Sequence, residues 1–145
     1  MTANYIRVIA ICVFRHGDKI LVFEAFDTVD KKPFYRPLGG SVEFGETAEA
    51  AIKREIREEL GLEAIDLRLL EILESFFTNE GKKGHEIVYV FDGRFQDESA
   101  YQKDSFIVTE DSGETLTARW HKLDFFNDYH RLVPEALVSL LIIKP

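Results

Sequence analysis

GSVEFGETAEAAIKREIREELGL, the stretch from Gly40 to Leu62, decides the fold of this chain. Apolar residues recur in its second half at helical spacing, so they form a stripe suited to packing on a sheet. That stripe consists of Ile52, Ile56 and Leu60. Thr47 stands where an N-cap is expected, and Gly61 stands where a left-handed residue ends a helix. The pattern therefore predicts one helix between Thr47 and Gly61 that packs on a sheet.

The same helix carries three glutamates on one face: Glu55, Glu58 and Glu59. A helix turns about 100° per residue, so these side chains fall within an arc of roughly 100°. Like charges this close repel one another unless a cation compensates them. Mg²⁺ prefers carboxylate oxygens and completes its coordination with waters and substrate phosphates. The face therefore predicts a metal site shared with a phosphate ligand; the alternative is a solvated face with ion pairs to Arg54 and Arg57.

The complete spacing resembles the Nudix box, G-x5-E-x7-R-E-U-x-E-E-x-G-U, in which U is aliphatic. Gly40 opens the box, Glu46 follows after five residues, and residues 54–62 match the remainder, with aliphatic residues at both U positions. A leading RPLG at residues 36–39 and a late ARW at residues 118–120 are also similar to small members of this family. The resemblance implies a Nudix-type α/β/α sandwich with a mixed sheet, formed by a single domain over residues 1–145.

The resemblance also implies a metal site. Mg²⁺ or Mn²⁺ would be held by the three glutamates and by one backbone carbonyl. These ligands are Gly39, Glu55, Glu58 and Glu59.

Other box residues would support that site. Arg54 and Glu46 would tie the box loop to the helix, because a bidentate bridge from arginine to carboxylate is stiff. Gly40 and Gly45 would allow conformations or close approaches that a Cβ would hinder, and Gly61 would end the helix. By this resemblance the catalytic residues are Glu55, Glu58, Glu59 and Arg54.

The reaction implied by the resemblance is hydrolysis of a nucleoside diphosphate linked to another group, by in-line attack of a metal-activated water. The general base stays open between Glu55 and the acids of the polar segment 96–114. These acids are Asp97, Glu98, Asp104, Glu110, Asp111 and Glu114. Arg36 is a candidate for binding a substrate phosphate, and a surface ion pair is its alternative role.

Two other functions are compatible with this fold. A non-catalytic Nudix-like domain could bind a nucleotide or an ADP-ribose-type ligand and regulate a partner, but it would be expected to lose box acids, and this chain has lost none. An isomerase of the isoprenoid type would need a reactive cysteine. Cys12 is the only cysteine, lies in an apolar run and is predicted to be a buried small hydrophobe.

The composition and net charge of the chain restrict the kinds of molecule that it is expected to bind. The chain has 145 residues, of which 46% are hydrophobic, and a net charge of −8, which disfavours a nucleic acid polymer. A small phosphorylated nucleotide-type substrate is compatible with that charge, since a metal and a few basic residues can bind its phosphates.

No membrane span or secretory signal is recognisable, so a cytoplasmic location is expected. The four histidines lack metal-ligand spacing. A homodimer through exposed strand edges stays open.

The remaining pattern predicts mostly strands. A hairpin is expected from Tyr5–Phe14 and Ile20–Phe26, and a second one from Leu67–Phe77 and Glu86–Phe95. A short strand over Phe34–Leu38 would lead into the box. Further along, a strand is expected over 115–123, and a last helix is expected over 134–142, with Pro134 in its first turn.

Overall fold

The computed structural model describes residues 4–145. Its strands alternate with only two α-helices, as expected. The strands are β1 (Arg7–His16), β2 (Lys19–Asp27), β3 (Lys32–Arg36), β4 (Leu38–Ser41), β5 (Ala64–Asn79), β6 (Lys82–Phe95), β7 (Ser105–Thr109), β8 (Thr115–Lys122) and β9 (Arg131–Leu132). The helices are α1 (Ala48–Leu60) and α2 (Leu137–Ile143), and short 3-10 helices cover Glu98–Gln102 and Leu123–Phe125.

In the described residues the strands form one nine-stranded sheet with two parts. In the first part the order is β5-β6-β1-β4, and β1 runs parallel to β6 while the other pairs are antiparallel. In the second part β2 pairs with β3 on one side and β8 on the other, with β9 and β7 outside them. The β1–β2 hairpin connects the two parts. The sheet is therefore mixed, as predicted.

Strand β1 is buried on both faces, and its alternation separates two cores. Ala10, Cys12 and Phe14 face one cluster, which includes Ile52 and Ile56 of α1. The residues between them face a second cluster, which contains Leu137, Leu140 and Leu141 of α2. Because the two helices pack on opposite faces, the molecule is an α/β/α sandwich, and the predicted fold is confirmed.

The structure corrects several predicted elements. The segment expected to be one strand over Phe34–Leu38 is divided at Pro37 into β3 and β4. The polar segment 96–114, in which the sequence predicts no strand or helix, contains a 3-10 helix and β7. The last helix begins at Leu137, so Pro134 precedes the helix and does not lie in its first turn. In the part of the chain that the structure describes, no helix is long and apolar enough to cross a membrane.

Candidate active site

Helix α1 begins and ends at the residues the sequence predicts. Thr47 is extended and its side-chain oxygen accepts a hydrogen bond from the backbone N–H of Ala50 at 3.0 Å. Gly61 is left-handed with φ of 68°, and its N–H donates to the carbonyl of Arg57. These caps satisfy groups that a helix end would otherwise leave without partners. The position of the acidic face is thereby fixed along the chain.

Arg54 joins the helix to the loop that precedes it. Its guanidinium makes a bidentate bridge to Glu46, with Nη2–Oε1 at 2.6 Å and Nε–Oε2 at 3.1 Å. The same Nη2 donates to the carbonyl of Ser41 at 2.9 Å. The bond from Arg54 lowers the pKa of the Glu46 carboxyl. One side chain therefore fixes the end of β4, the box loop and α1 relative to one another.

The three glutamates of the face differ in environment. Glu55 and Glu59 are buried, with 6% and 9% of their surface exposed, whereas Glu58 is exposed. Arg54 Nη1 lies between two of them, 3.0 Å from Glu55 and 3.2 Å from Glu58. Within residues 4–145, no three carboxylates, histidines or cysteines are gathered into a complete metal site. In this structure Arg54 is the cation that contacts the carboxylates of Glu55 and Glu58.

Glu59 is the most perturbed acid of the site. Burial raises the pKa of its carboxyl to about 8, and Glu55 adds to this, while Arg36 and the backbone N–H of Gly39 act in the opposite direction. Its Oε1 is buried and has no hydrogen-bond partner. Burial likewise raises the pKa of Glu55. A buried carboxyl with a free oxygen is in an unfavourable environment unless a cation or a donor approaches it.

Two glycines of β4 allow this close packing. Gly39 has φ of 151°, and a Cβ there would lie 2.0 Å from the carbonyl oxygen of Ala10. A Cβ on Gly40 would lie 2.6 Å from the carboxylate of Glu55. The oxygen-only donor set, the free oxygen of Glu59 and this glycine-lined cradle together fit a hard divalent cation such as Mg²⁺ or Mn²⁺.

Arg36 lies at the end of β3, on the strand that leads into the site. Its guanidinium stands 5.1 Å from the centre of the Phe23 ring, and Nη2 donates to the carbonyl of Gly39 at 3.1 Å. Burial lowers its pKa. No carboxylate of the described chain lies within ion-pair distance of it, so the surface ion pair considered as an alternative is not observed. The charges of Glu86, Glu59 and Glu110 nevertheless act on it without direct contact and raise its pKa.

The acids of segment 96–114 lie at the first 3-10 helix, at Asp104 just before β7, and in the turn between β7 and β8. Asp97 caps the first 3-10 helix by accepting from the N–H of Ser99 at 3.0 Å. Glu110 and Asp111 lie in the turn between β7 and β8, close enough to α1 for their charges to raise the pKa values of Glu59 and Glu55, respectively. The structure therefore brings this turn, and not the 3-10 helix, to the site.

Sequence reasoning missed one residue near the site. Arg7, at the start of β1, donates from Nε to the hydroxyl of Ser41 at 2.8 Å and pairs with Glu86 at 3.3 Å. Ser41 directly follows Gly40, so this guanidinium is held beside the box. The only available signal was an arginine at the edge of an apolar strand, which is too common to be informative.

Several aromatic and histidine side chains make packing contacts away from the acidic face. Tyr35 is buried, and His121 and His130 stack on Phe125. Phe76 is exposed and lies against the ring of His85. None of these contacts involves the acidic face.

Comparison with known proteins agrees with this geometry. The family model described as NUDIX domain matches residues 4–138. A MutT NUDIX hydrolase from Burkholderia pseudomallei superposes with a TM-score of 0.69 at 22% identity, over 95% of this chain and 98% of that one. A NUDIX hydrolase from Nitrosomonas europaea gives a TM-score of 0.66 at 23% identity, over 96% and 87%. A NUDIX family hydrolase from Clostridium perfringens gives 0.62 at 17%, over 97% and 99%.

The fold and the acidic face of α1 define a small α/β/α protein that carries the complete box sequence over residues 40–62. The chain belongs to the NUDIX family, since the family model covers nearly all of it. The structural neighbours, all below 25% identity, support the fold. Family membership supports a hydrolase of nucleoside diphosphate compounds in general, and members of the family generally use divalent metal ions.

Proposed function

We propose that this protein is a metal-dependent hydrolase that cleaves the diphosphate linkage of a nucleoside diphosphate joined to another group. The observation that carries the proposal is the buried pair Glu55 and Glu59 beneath Gly39 and Gly40. Each carboxyl has a raised pKa, and Glu59 keeps an unpartnered oxygen. Buried acids whose pKa values are raised by desolvation and by a neighbouring carboxylate are typical of a catalytic site.

The residues that would hold Mg²⁺ or Mn²⁺ are Glu55, Glu58, Glu59 and the backbone carbonyl of Gly39. When bound, such a cation lowers the pKa of an attacking water and neutralises charge on the phosphate oxygens. Arg54 has a positioning role, because its bridge to Glu46 fixes the helix against the box loop. Its contacts to Glu55 and Glu58 hold these carboxylates in place while no cation is bound.

Two further roles are binding of the substrate phosphates and acceptance of the proton that the attacking water loses. Arg36 would bind a phosphate oxygen, since it lies at the end of β3 beside Gly39 and its guanidinium makes no direct ion pair with a described carboxylate. The proton of the attacking water would pass to a carboxylate near the site, for which Glu110 and Glu55 are the candidates. A small nucleotide derivative is the expected substrate, because an overall acidic protein can meet a few phosphates locally.

The test is hydrolysis of a substrate panel by the purified protein with Mg²⁺ or Mn²⁺. The panel contains nucleoside triphosphates, ADP-ribose, nucleotide sugars and dinucleoside polyphosphates, and phosphate is measured with and without added phosphatase. One class should be cleaved by the wild type, and Glu58→Gln should lose at least about 100-fold in rate. Glu49→Gln is the matched control, since Glu49 is an exposed acid in the first turn of the same helix.

The result against the proposal is equally definite. If no member of the panel is hydrolysed while one of them raises the Tm, the chain is a binding domain. If Glu49→Gln and Glu58→Gln lose the same activity, the effect comes from the charge of the helix and not from the site.

A further inference from the structure

Strand β5 forms one edge of the sheet. Within residues 4–145 it pairs only with β6, so no described strand lies along its other side. The register with β6 is shifted twice before Glu71 and is regular from Glu71 to Asn79. This regular half of β5, residues 71–79, therefore presents an uninterrupted backbone edge.

The turn at the end of β5 determines which backbone groups point away from β6. Asn79 pairs with Lys82 across a two-residue turn, Glu80-Gly81, whose φ values are 53° and 75°. The residues that close such a turn exchange hydrogen bonds, and bonded and non-bonded pairs then alternate along the antiparallel ladder. Odd-numbered residues of the regular half consequently bond to β6. The N–H and C=O groups of its even-numbered residues point outward: Ile72, Glu74, Phe76 and Thr78.

Side chains of the same molecule occupy one end of this outward edge. Lys144 Nζ donates to the carbonyl of Leu70 at 2.7 Å, and the N–H of Ile72 donates to the carboxylate of Glu71 at 3.1 Å. Contacts of this kind hinder an edge strand from pairing. Among the described residues, no comparable contact covers the outward groups of residues 74–78. The edge is therefore open where the ladder is regular.

The side chains of the open edge favour the addition of a strand. Phe76 is 70% exposed and Phe77 is 38% exposed. β5 contains no proline, and aromatic residues of this kind are typical of strands. An edge strand that is long, exposed and apolar is a site at which a further strand can pair.

We propose that β5 pairs in antiparallel orientation with β5 of a second copy of this chain, about a twofold axis at Ser75. All four outward-facing residues then exchange hydrogen bonds with those of the second copy. Leu73 lies opposite Phe77 of the second copy, on the face of the sheet that packs against α2. A twofold contact uses the same surface on both copies and closes on itself, so the assembly is a dimer.

The charges of the hairpin favour this orientation. Glu71 and Glu74 lie in the first part of the regular half, whereas Lys82 lies at the tip of the hairpin. Antiparallel pairing about Ser75 places Glu71 opposite Asn79 of the second copy, whose partner on β6 is Lys82. An acid of each copy therefore approaches a lysine of the other, which favours pairing. A parallel arrangement would bring like charges together.

Neighbouring registers are less favourable. An axis at Glu74 would place the two Glu74 carboxylates opposite each other, and an axis at Phe77 would place Glu74 opposite Glu80. An axis at Phe76 would place Ile72 opposite Glu80, where the backbone already turns. The Ser75 axis avoids these pairs and uses the whole regular half.

The competing explanation is an edge that stays solvated, with Glu71 and Glu74 keeping the chain monomeric. Cross-linking distinguishes the two, because Cys12 is the only cysteine of the chain and is buried. On the proposed axis the two Ser75 residues form a non-hydrogen-bonded pair with Cα atoms about 4.5 Å apart, within disulfide range. Under mild oxidation Ser75→Cys should form a covalent dimer. Ile107→Cys should not, although Ile107 is 64% exposed on another edge strand, β7.

Proline substitution tests the backbone contact without a cross-link. Glu74→Pro removes an outward N–H and no bond to β6, so the fold should be retained. It should raise the dimer Kd, measured by sedimentation equilibrium, at least about tenfold, since each copy loses a donor. Glu74→Ala also removes the carboxylate but keeps the N–H, so it should raise the Kd less than about threefold.

Three results would overturn the inference: a wild type that sediments as a monomer at about 100 μM, cross-linking of Ser75→Cys no faster than that of Ile107→Cys, or equal effects of Glu74→Pro and Glu74→Ala. If Glu74→Pro does not fold, the cross-linking still decides. A monomeric wild type that binds a strand-forming peptide at β5 would show that the edge is open to a different occupant, and would also reject the dimer.

Discussion

The carboxylate of Glu55 packs against the backbone of Gly40, where an added Cβ would lie 2.6 Å from the carboxyl carbon. Because the φ of Gly40 is not in the left-handed region, its substitution tests this contact and not backbone strain. Gly40→Ala should lower the free energy of unfolding by about 1–3 kcal/mol, as overpacking does. It should also weaken Mn²⁺ binding, measured by calorimetry, since the displaced carboxylate is a proposed ligand.

A second substitution shows whether the contact itself is responsible. Glu55→Asp shortens the side chain by one methylene, so Gly40→Ala combined with Glu55→Asp should recover part of the lost stability. Mn²⁺ binding should not recover, because the carboxylate stays displaced. If the two stability losses simply add, the residues do not interact as the structure indicates.

The bridge between Arg54 and Glu46 should affect activity mainly by positioning α1 against the box loop, and less through its own contribution to the free energy of folding. Arg54→Lys keeps the charge but loses the fork, so the helix is no longer fixed against the box loop. Activity should fall about 10–100-fold, as when supporting contacts around a metal site are removed. Steady-state kinetics at saturating Mg²⁺ measure the change, and circular dichroism checks the fold.

Arg57 provides the control for Arg54. It makes a bidentate bridge to Glu63 from the same helix, at 2.6 and 2.8 Å, but on an exposed surface. Arg57→Lys should leave activity within about twofold of wild type. Similar losses in both variants would mean that the helix is destabilised in general and that the box loop has no special role.

Glu59 should make the metal-free protein less stable as the pH rises. Its folded pKa is raised from 4.5 to about 8, so the folded state holds the proton between these values while the unfolded state releases it. Stability is therefore fully present below about pH 4.5 and is lost up to about pH 8. At about 1.4 kcal/mol per pH unit, the loss is up to about 5 kcal/mol.

Glu59→Gln removes that dependence, because the amide does not ionise. In EDTA the variant should be more stable than wild type at pH 9 and should lose the advantage at pH 5, as measured by urea denaturation. Glu49→Gln serves as the control and should follow the wild-type profile. A wild-type advantage at pH 9 would mean that the Glu59 carboxylate is already compensated without a metal.

The local parts of this site are predictable from the sequence, and the distant parts are not. Thr47, Gly61 and the acidic face follow from spacing within one helix, so their geometry is already implied by adjacent residues. Arg7 is different, since its partners Ser41 and Glu86 are 34 and 79 residues away. The periodicity of a sequence does not show which strands become neighbours. Here the parallel pairing of β1 with β6 brings Arg7 next to Glu86.

The segment 96–114 illustrates a second limit. Strand β7 has only five residues, of which Phe106 and Val108 are buried and Ile107 is exposed. This short alternation is hidden among acids and polar residues that favour a loop. Because β7 was not predicted, the turn after it could not be placed beside α1, and the acids of the segment could not be ranked.

With the turn in place, Glu110 becomes the leading candidate for the general base among these acids. It is half-buried, and its charge acts on both Glu59 and Arg36. Glu110→Gln should lower kcat about 10²–10⁴-fold with little change in KM, because general-base catalysis acts on the chemical step. The backbone of the turn is retained, since its bond from Glu110 N–H to the carbonyl of Glu114 does not involve the side chain.

Two other acids discriminate this role from a general charge effect. Glu98→Gln removes a carboxylate from the exposed 3-10 helix and should leave kcat within about twofold of wild type. Asp111→Asn removes the neighbouring charge of the same turn, which acts on Glu55, and should lower kcat less than tenfold. If Asp111→Asn is the more damaging of the two turn variants, the base is Asp111. If neither changes kcat by more than twofold, the proton must pass to Glu55, because no other candidate acid of the segment acts so directly on α1.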